Sequence, residues 1–335
     1  MFFDHFSLIL IAVLALAVIF DYINGFHDTA NAIATSVSTR ALKPQYAIVM
    51  SAVANFVGAL SGTAVAATIS SGLVDTKVES QVVVAAALLG AIAWNLLTWW
   101  LAIPSSSSHA LIGGLLGATA VAAGVGTWKI DGIVNKVLVP LVSSPILGFL
   151  IGFGLMILLL NLFRRAHPRI MNDRFRKLQV LSAAYMAFSH GSNDAQKTMG
   201  IMTLALVTAG ITNDPHPPLW VILLAATAIS MGTAIGGWRI IRTMGTRVVK
   251  LDPVHGFAAE TTAATIIFGA SHLGMPVSTT HVISTAIMGV GSTGRLSAVR
   301  WGVARSILIA WVLTIPAAGF TAAVAYLVLR PILGS

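Results

Sequence analysis

Residues 80–128 read SQVVVAAALLGAIAWNLLTWWLAIPSSSSHALIGGLLGATAVAAGVGTW and hold no acid or base across 49 positions. A helix needs about 20 apolar residues to cross the hydrocarbon core of a bilayer, so this window has room for two. Five more charge-free windows flank it: 44–74, 137–163, 215–238, 261–294 and 306–329. The 335-residue chain is 56% hydrophobic and 9% charged, about a third of the charge of a soluble domain. The pattern predicts an all-α polytopic membrane protein and excludes an ordinary soluble enzyme. There is no cysteine, hence no disulfide and no thiolate metal site. Met1 to Phe20 lack the basic start of a signal peptide and read as the beginning of the first membrane helix.

The net charge of +9 does not point to nucleic acid, because the cations sit in short loops between apolar spans, where they orient membrane proteins. The most basic break holds Arg164, Arg165, Arg169, Arg174, Arg176 and Lys177 against Asp173 alone, which marks it as cytoplasmic. Counting outward predicts five crossings on each side. Those before it start near Ser7, lie within 44–69, end near Ile103, lie within 110–128 and cover 137–163. Those after it cover 178–211, 218–238, 257–274, 276–294 and 306–329. Both termini then fall on the extracytoplasmic side of the inner (plasma) membrane. Fifteen cations fall inside; Lys77, Lys129, Lys136 and Arg330 fall outside, and Lys197 lies within a span.

The two halves resemble each other. Gly25-Phe26-His27-Asp28 matches Gly191-Ser192-Asn193-Asp194. Gly58 and Gly62 match Gly232 and Gly236. Pro104-Ser105-Ser106-Ser107-Ser108-His109 matches Pro276-Val277-Ser278-Thr279-Thr280-His281. The order is kept and the offset is nearly constant. An odd number of crossings per half makes the second enter from the opposite side. The expectation is two inverted-topology repeats, 1–163 and 178–335, joined by a basic cytoplasmic linker at 164–177. That is an architecture of secondary transporters.

A carboxylate near the bilayer centre costs several kcal/mol and needs a reason. Asp28 lies about 20 residues into the first span, and Asp194 occupies the repeat-related place. Each sits among amides and hydroxyls beside a glycine that could open the helix and free backbone carbonyls. Asp28, Asn31, Asn193 and Asp194 are therefore candidate ligands of a hard cation. Sodium or a proton suits this all-oxygen set, and copper or zinc does not. The plainer alternative is polar helix packing, with Asp194 and Lys197 as an intrahelical ion pair.

The hydroxyl runs follow a proline and precede apolar, glycine-bearing stretches, a pattern of helix starts. Free N–H groups and the positive end of the helix dipole make such a start a seat for an oxyanion. Ser105, Ser106 and Ser107 from one side, with Ser278, Thr279 and Thr280 from the other, could hold a tetrahedral anion between two helix ends. Gln196 joins these candidates from the second acidic block. His27, His109, His281, Glu260, Asp21 and Lys197 are candidate proton-relay or gate residues.

These blocks resemble the inorganic phosphate transporter (PiT) family of secondary transporters. The residues that carry the resemblance run from Asn24 to Ala32 and from Gly191 to Gly200, with Ser105–His109 and Ser278–His281. The first block has Phe26 and His27 where the family's commoner form is Gly-Ala-Asn-Asp, which resembles the bacterial, proton-linked branch. The resemblance implies symport of inorganic phosphate with a proton or sodium, an inverted-repeat fold with discontinuous helices and two helical hairpins, and a homodimer. It implies no cofactor beyond the transported ions, and phosphate taken free or as a metal–phosphate complex. A sulfate symporter on the same scaffold is the alternative. A passive channel would not need two buried acids. An intramembrane hydrolase using Ser105–Ser108 with His109 lacks an attacking geometry, since neighbours on one helix turn cannot act as nucleophile and base.

Overall fold

The computed structural model describes residues 7–75 and 80–333; Lys77, counted above among the outside cations, lies outside them. The chain forms α1 (Leu8–Ser38), α2 (Pro44–Ala59), α3 (Ala64–Ser71), α4 (Gln81–Trp100) and α5 (Ser107–Ala123). A short α6 (Ile130–Gly132) runs through a π-helical stretch at Ile133–Leu138 into α7 (Val139–Leu162). Then follow α8 (Pro168–Thr208), α9 (Leu219–Ile235), α10 (Trp238–Arg242), α11 (Pro253–His272), α12 (Thr279–Gly291) and α13 (Trp301–Leu333). The only β pairing among the described residues is an isolated bridge between Val74 and Trp128.

Helix α1, helix α4, residues 130–162 and helix α13 are each long and apolar enough to cross a membrane. Two bent pairs reach that length together, α2 with α3 at 68° and α9 with Trp238–Gly245 at 61°. Helices α5 and α12 do not. Their 17 and 13 residues rise about 25 and 20 Å, short of the roughly 30 Å of a bilayer core. Each begins after a non-helical break, 101–106 and 273–278, and packs back on the helix before it. The spans expected at 110–128 and 276–294 are thus the second arms of hairpins, whose first arms are α4 and α11. Hydropathy cannot tell a crossing from a returning arm. Pro104 and Pro276 stop the helix, and only the arm length separates the two cases.

The discontinuities also fall elsewhere than the sequence suggested. Helices α1 and α8 run unbroken through Gly25 and Gly191; the breaks lie at the α2–α3 and α9–α10 bends. Both glycines serve close approach instead. A Cβ on Gly25 would strike the backbone of Ile229 and Thr233, and one on Gly232 would strike Tyr22. A Cβ on Gly191 would strike Asn55, and one on Gly58 would strike Phe188. The repeat-matched glycines therefore pack α1 on α9 and α8 on α2, crossing between the halves both times. The 164–177 segment is likewise not all loop, because α8 already begins at Pro168, where proline is suited to the first helical position.

Two apolar clusters form the core, and α1, α2, the 130–162 helix, α8 and α13 contribute to both. Leu10 to Phe20 of α1 pack with Ala195 to Leu206 of α8 and Ala318 to Tyr326 of α13. Ala30 to Ala34 of α1 pack with Phe175 to Ala187 of α8 and Ala304 to Trp311 of α13. The chain enters these clusters in opposite order in α1 and α8. The same holds for the 130–162 helix, from Ile133 and Val137 to Met156 and Leu159, against α13. Between the clusters, Asp21 to Thr29 of α1 and Ser189 to Asp194 of α8 lie in a buried polar layer.

Candidate functional site

The polar layer is built where the hairpin tips meet the middles of α1 and α8. Ser106 and Ser278 are the N-caps of α5 and α12, each accepting a hydrogen bond at 3.2 Å from the backbone N–H of His109 and His281. That cap explains why hydroxyls stand at these positions and satisfies one free donor per helix. The tips touch directly, since Ser108 Oγ donates to the Val277 carbonyl at 3.2 Å.

Asp28 and Asp194, 166 residues apart in sequence, converge in space. One ligand atom each from Asp28, His190 and Asp194 lie within 4.8 Å of one another. His27 Nδ1 is 2.6 Å from Asp28 Oδ1, and its Nε2 is 3.1 Å from Thr98 Oγ1. Ser105 donates to the same Thr98 oxygen at 2.8 Å, which ties the first tip to the first acid. On the other side His190 Nε2 is 3.0 Å from Asp194 Oδ2, and its Nδ1 is 2.9 Å from Asn55 Oδ1. Thr279 donates to Asp194 Oδ2 at 3.2 Å. All these groups are buried.

Lys197 is the hub. Its buried ammonium donates to Asp194 Oδ1, to Ser108 Oγ and, at 3.1 Å, to the Val277 carbonyl. One cation thereby holds the second acid and both hairpin tips. Asn31 adds a parallel tie, donating to Thr279 at 3.1 Å and Thr280 at 2.9 Å. Ser107 Oγ is buried and makes no hydrogen bond, so it is the tip hydroxyl left open to a ligand.

Other predicted residues stand apart from this junction. Gln196 Oε1 accepts from the Val65 N–H at 2.8 Å and its amide donates to the Ser192 carbonyl, so it secures the start of α3. Asn193 donates to Ser271 at 2.9 Å and to the Met275 carbonyl at 3.2 Å, holding α8 to the second hairpin. Glu260 is buried in its own cluster: it accepts from Thr35 at 2.5 Å, from Gln179 at 3.1 Å and from Ser182. His109 and His281 face each other with ring centroids 4.8 Å apart, and His281 stacks on Trp311 at 3.8 Å. That places Trp311 inside the fold. Asp21 is fully buried with neither carboxyl oxygen hydrogen-bonded.

Sequence reasoning missed His190, Asn55 and Thr98. His190 was readable, standing four residues before Asp194 on the same helix face. Asn55 and Thr98 carry no local signal, because their roles arise from the α2–α8 and α1–α4 contacts.

Residues 24–322, which include every group just described except Asp21, match the model of the phosphate transporter family. The chain belongs to that family. Among its relatives in the phosphate transporter family is the "Probable low-affinity inorganic phosphate transporter" of Bacillus subtilis (strain 168). It is 50% identical over 97% of this chain and 97% of its own length. The protein of the same name from Rhizobium meliloti (strain 1021) is 47% identical over 95% and 96%. A solved structure titled "The sodium-dependent phosphate transporter" superposes with a TM-score of 0.90 at 27% identity, covering 98% of this chain and all of that one. This is a transporter family and not an enzyme family, and its apolar helices make the chain an integral protein of the cell membrane.

Proposed function

We propose that this chain is a cation-coupled symporter of inorganic phosphate, with the proton as coupling ion. The observation that carries the reading is the junction of the two hairpin tips with Asp28, Asp194 and Lys197. Two helix N-termini, α5 and α12, bring their free N–H groups to one place and suit an oxyanion. Ser107, Ser105, Thr279 and Thr280 supply hydroxyl donors that bind an anion without the deep well of an arginine. Ser106 and Ser278 act as caps that set the geometry. Carboxylates beside an anion seat favour phosphate, which brings protons to donate, over sulfate, which brings none.

Lys197 serves as the gate in this reading. With the tips bound through Ser108 and Val277, the junction is closed. An arriving phosphate competes for the ammonium and for the hydroxyls, and loosens the tie between the hairpins. The opposed order in which α1 and α8 enter the two cores supports an inverted repeat, with halves 1–163 and 178–335 and both termini extracytoplasmic. The protein acts as a homodimer on free or metal-complexed phosphate.

Each unit of charge moved against 100 mV costs about 2.3 kcal/mol, so an entering phosphate needs a cation for each negative charge. A proton is favoured because Asp28 and Asp194 already have His27, His190 and Lys197 as partners, which occupy the places a sodium ion would take. Sodium is the second reading, supported by the approach of Asp28, His190 and Asp194 within 4.8 Å, with the two acids as its ligands. Radiolabelled phosphate uptake into proteoliposomes under imposed gradients decides between them. Uptake in sodium-free buffer that collapses with a protonophore supports the proton. Strict sodium dependence without a protonophore response overturns it and leaves phosphate symport standing.

A further inference from the structure

The phosphate junction leaves one buried acid unused. Asp21 lies seven residues before Asp28, about 10 Å along the same face of α1. Its side chain has no solvent exposure, and neither carboxyl oxygen has a hydrogen-bond partner. Asn24 and Thr198 are the side chains placed to hydrogen-bond it. Asn24 Oδ1 and Thr198 Oγ1 are themselves buried without partners. Four oxygen atoms on three neighbouring side chains are thus unpaired between α1 and α8.

An ionised carboxylate deep in a membrane protein without a donor or a counter-cation is not sustainable. A single proton resolves the whole cluster. A protonated Asp21 can donate its O–H to Asn24 Oδ1, and its other oxygen can accept from the Thr198 hydroxyl. One added hydrogen then satisfies all four atoms. Sodium would find only these four oxygens, fewer than the six or so that hard cations gather. The charged groups that act on Asp21 are Asp194 and Lys197, both on α8. Helices α4 and α9, also packed along α1, carry no acid, base or histidine. Thr198 follows Lys197 directly, so Asp21 adjoins the helix turn that holds the hairpin tips.

We propose that Asp21 is the proton carrier of the transport cycle, a site separate from the phosphate seat. The proton comes from water on one side with the tips in one arrangement and leaves to water on the other side after they change. No bond other than O–H forms or breaks. This assignment rests on the phosphate-symport reading, and the experiment separates the two.

The full-length protein and Asp21→Asn are reconstituted in proteoliposomes, with phosphate–phosphate exchange and gradient-driven accumulation both measured. Asparagine mimics the protonated acid, so exchange at symmetric pH should stay within about twofold and should lose its pH dependence. One pH unit coupled to one proton supports about tenfold accumulation, and Asp21→Asn should lower the plateau by that factor. Asp21→Glu should restore gradient-driven uptake with a displaced pH profile, which a merely structural role would not produce. Full proton-driven accumulation by Asp21→Asn overturns the assignment alone. So does a sodium drive in the wild type that vanishes in Asp21→Asn, or failure of Asp21→Glu to recover while its size-exclusion profile is normal. Absence of phosphate exchange in the wild type overturns the symport reading and this assignment with it.

Discussion

Replacing Lys197 with methionine keeps the length of the side chain and removes its charge and its three donated hydrogen bonds. The ammonium holds Asp194, Ser108 and the Val277 carbonyl, and the side chain is 2% exposed. Removing one partner of a buried ion pair typically costs about 3–5 kcal/mol. Asp194 keeps His190 at 3.0 Å and Thr279 at 3.2 Å, which places Lys197→Met near the lower end, about 3 kcal/mol. Asp194→Asn should cost a similar amount for the converse reason, leaving the ammonium with neutral acceptors only. The double variant carries neither charge, so its cost should fall short of the sum by about 1–3 kcal/mol. Equilibrium unfolding in mixed micelles, run as a double-mutant cycle, measures each quantity. A cost under about 1 kcal/mol for Lys197→Met, or strict additivity in the double variant, would refute the view that this bridge closes the hairpin junction.

Asp28→Asn and Asp194→Asn should each nearly abolish gradient-driven phosphate uptake while the protein still inserts; near-normal uptake by either variant counts against their role. Ser106→Ala removes a helix cap and should cost about 1 kcal/mol of stability, readable in the same unfolding assay. Ser107→Ala, by contrast, should leave stability nearly unchanged and weaken phosphate binding by about 1–3 kcal/mol in isothermal titration. Gly25→Val should disrupt the α1–α9 crossing, because a Cβ there meets the α9 backbone; a monodisperse variant with wild-type thermal stability would contradict that packing.

Much of this arrangement is legible in the sequence alone. The two acids and the two hydroxyl runs announce themselves because charge and hydroxyls are rare in apolar windows, and their repetition at matched spacing pairs them. The structure brings Asp28 to Asp194 and the serine run to the Ser-Thr-Thr run, the juxtapositions such pairing implies. What stayed hidden depends on length and on contacts between distant helices. Helix α12 and a true span share the same apolar composition, and only thirteen residues of helix reveal a returning arm. Gly25 reads equally well as a helix breaker or as a close contact, and α9 pressed against it decides for contact. Gln196 stands in the right block for an anion ligand, yet its carbonyl is taken by the start of α3. Asn55 enters the site only because α2 lies on α8, which no local pattern encodes.

Phosphate seated between the N-termini of α5 and α12 should be visible in an experimental structure of the protein with bound phosphate. Tetrahedral density should lie at the hairpin junction, within hydrogen-bond distance of Ser107 and Thr280, with the Lys197 ammonium withdrawn from at least one of Ser108 and Val277. Phosphate bound away from both tips, with the Lys197 bridge intact, would contradict this placement.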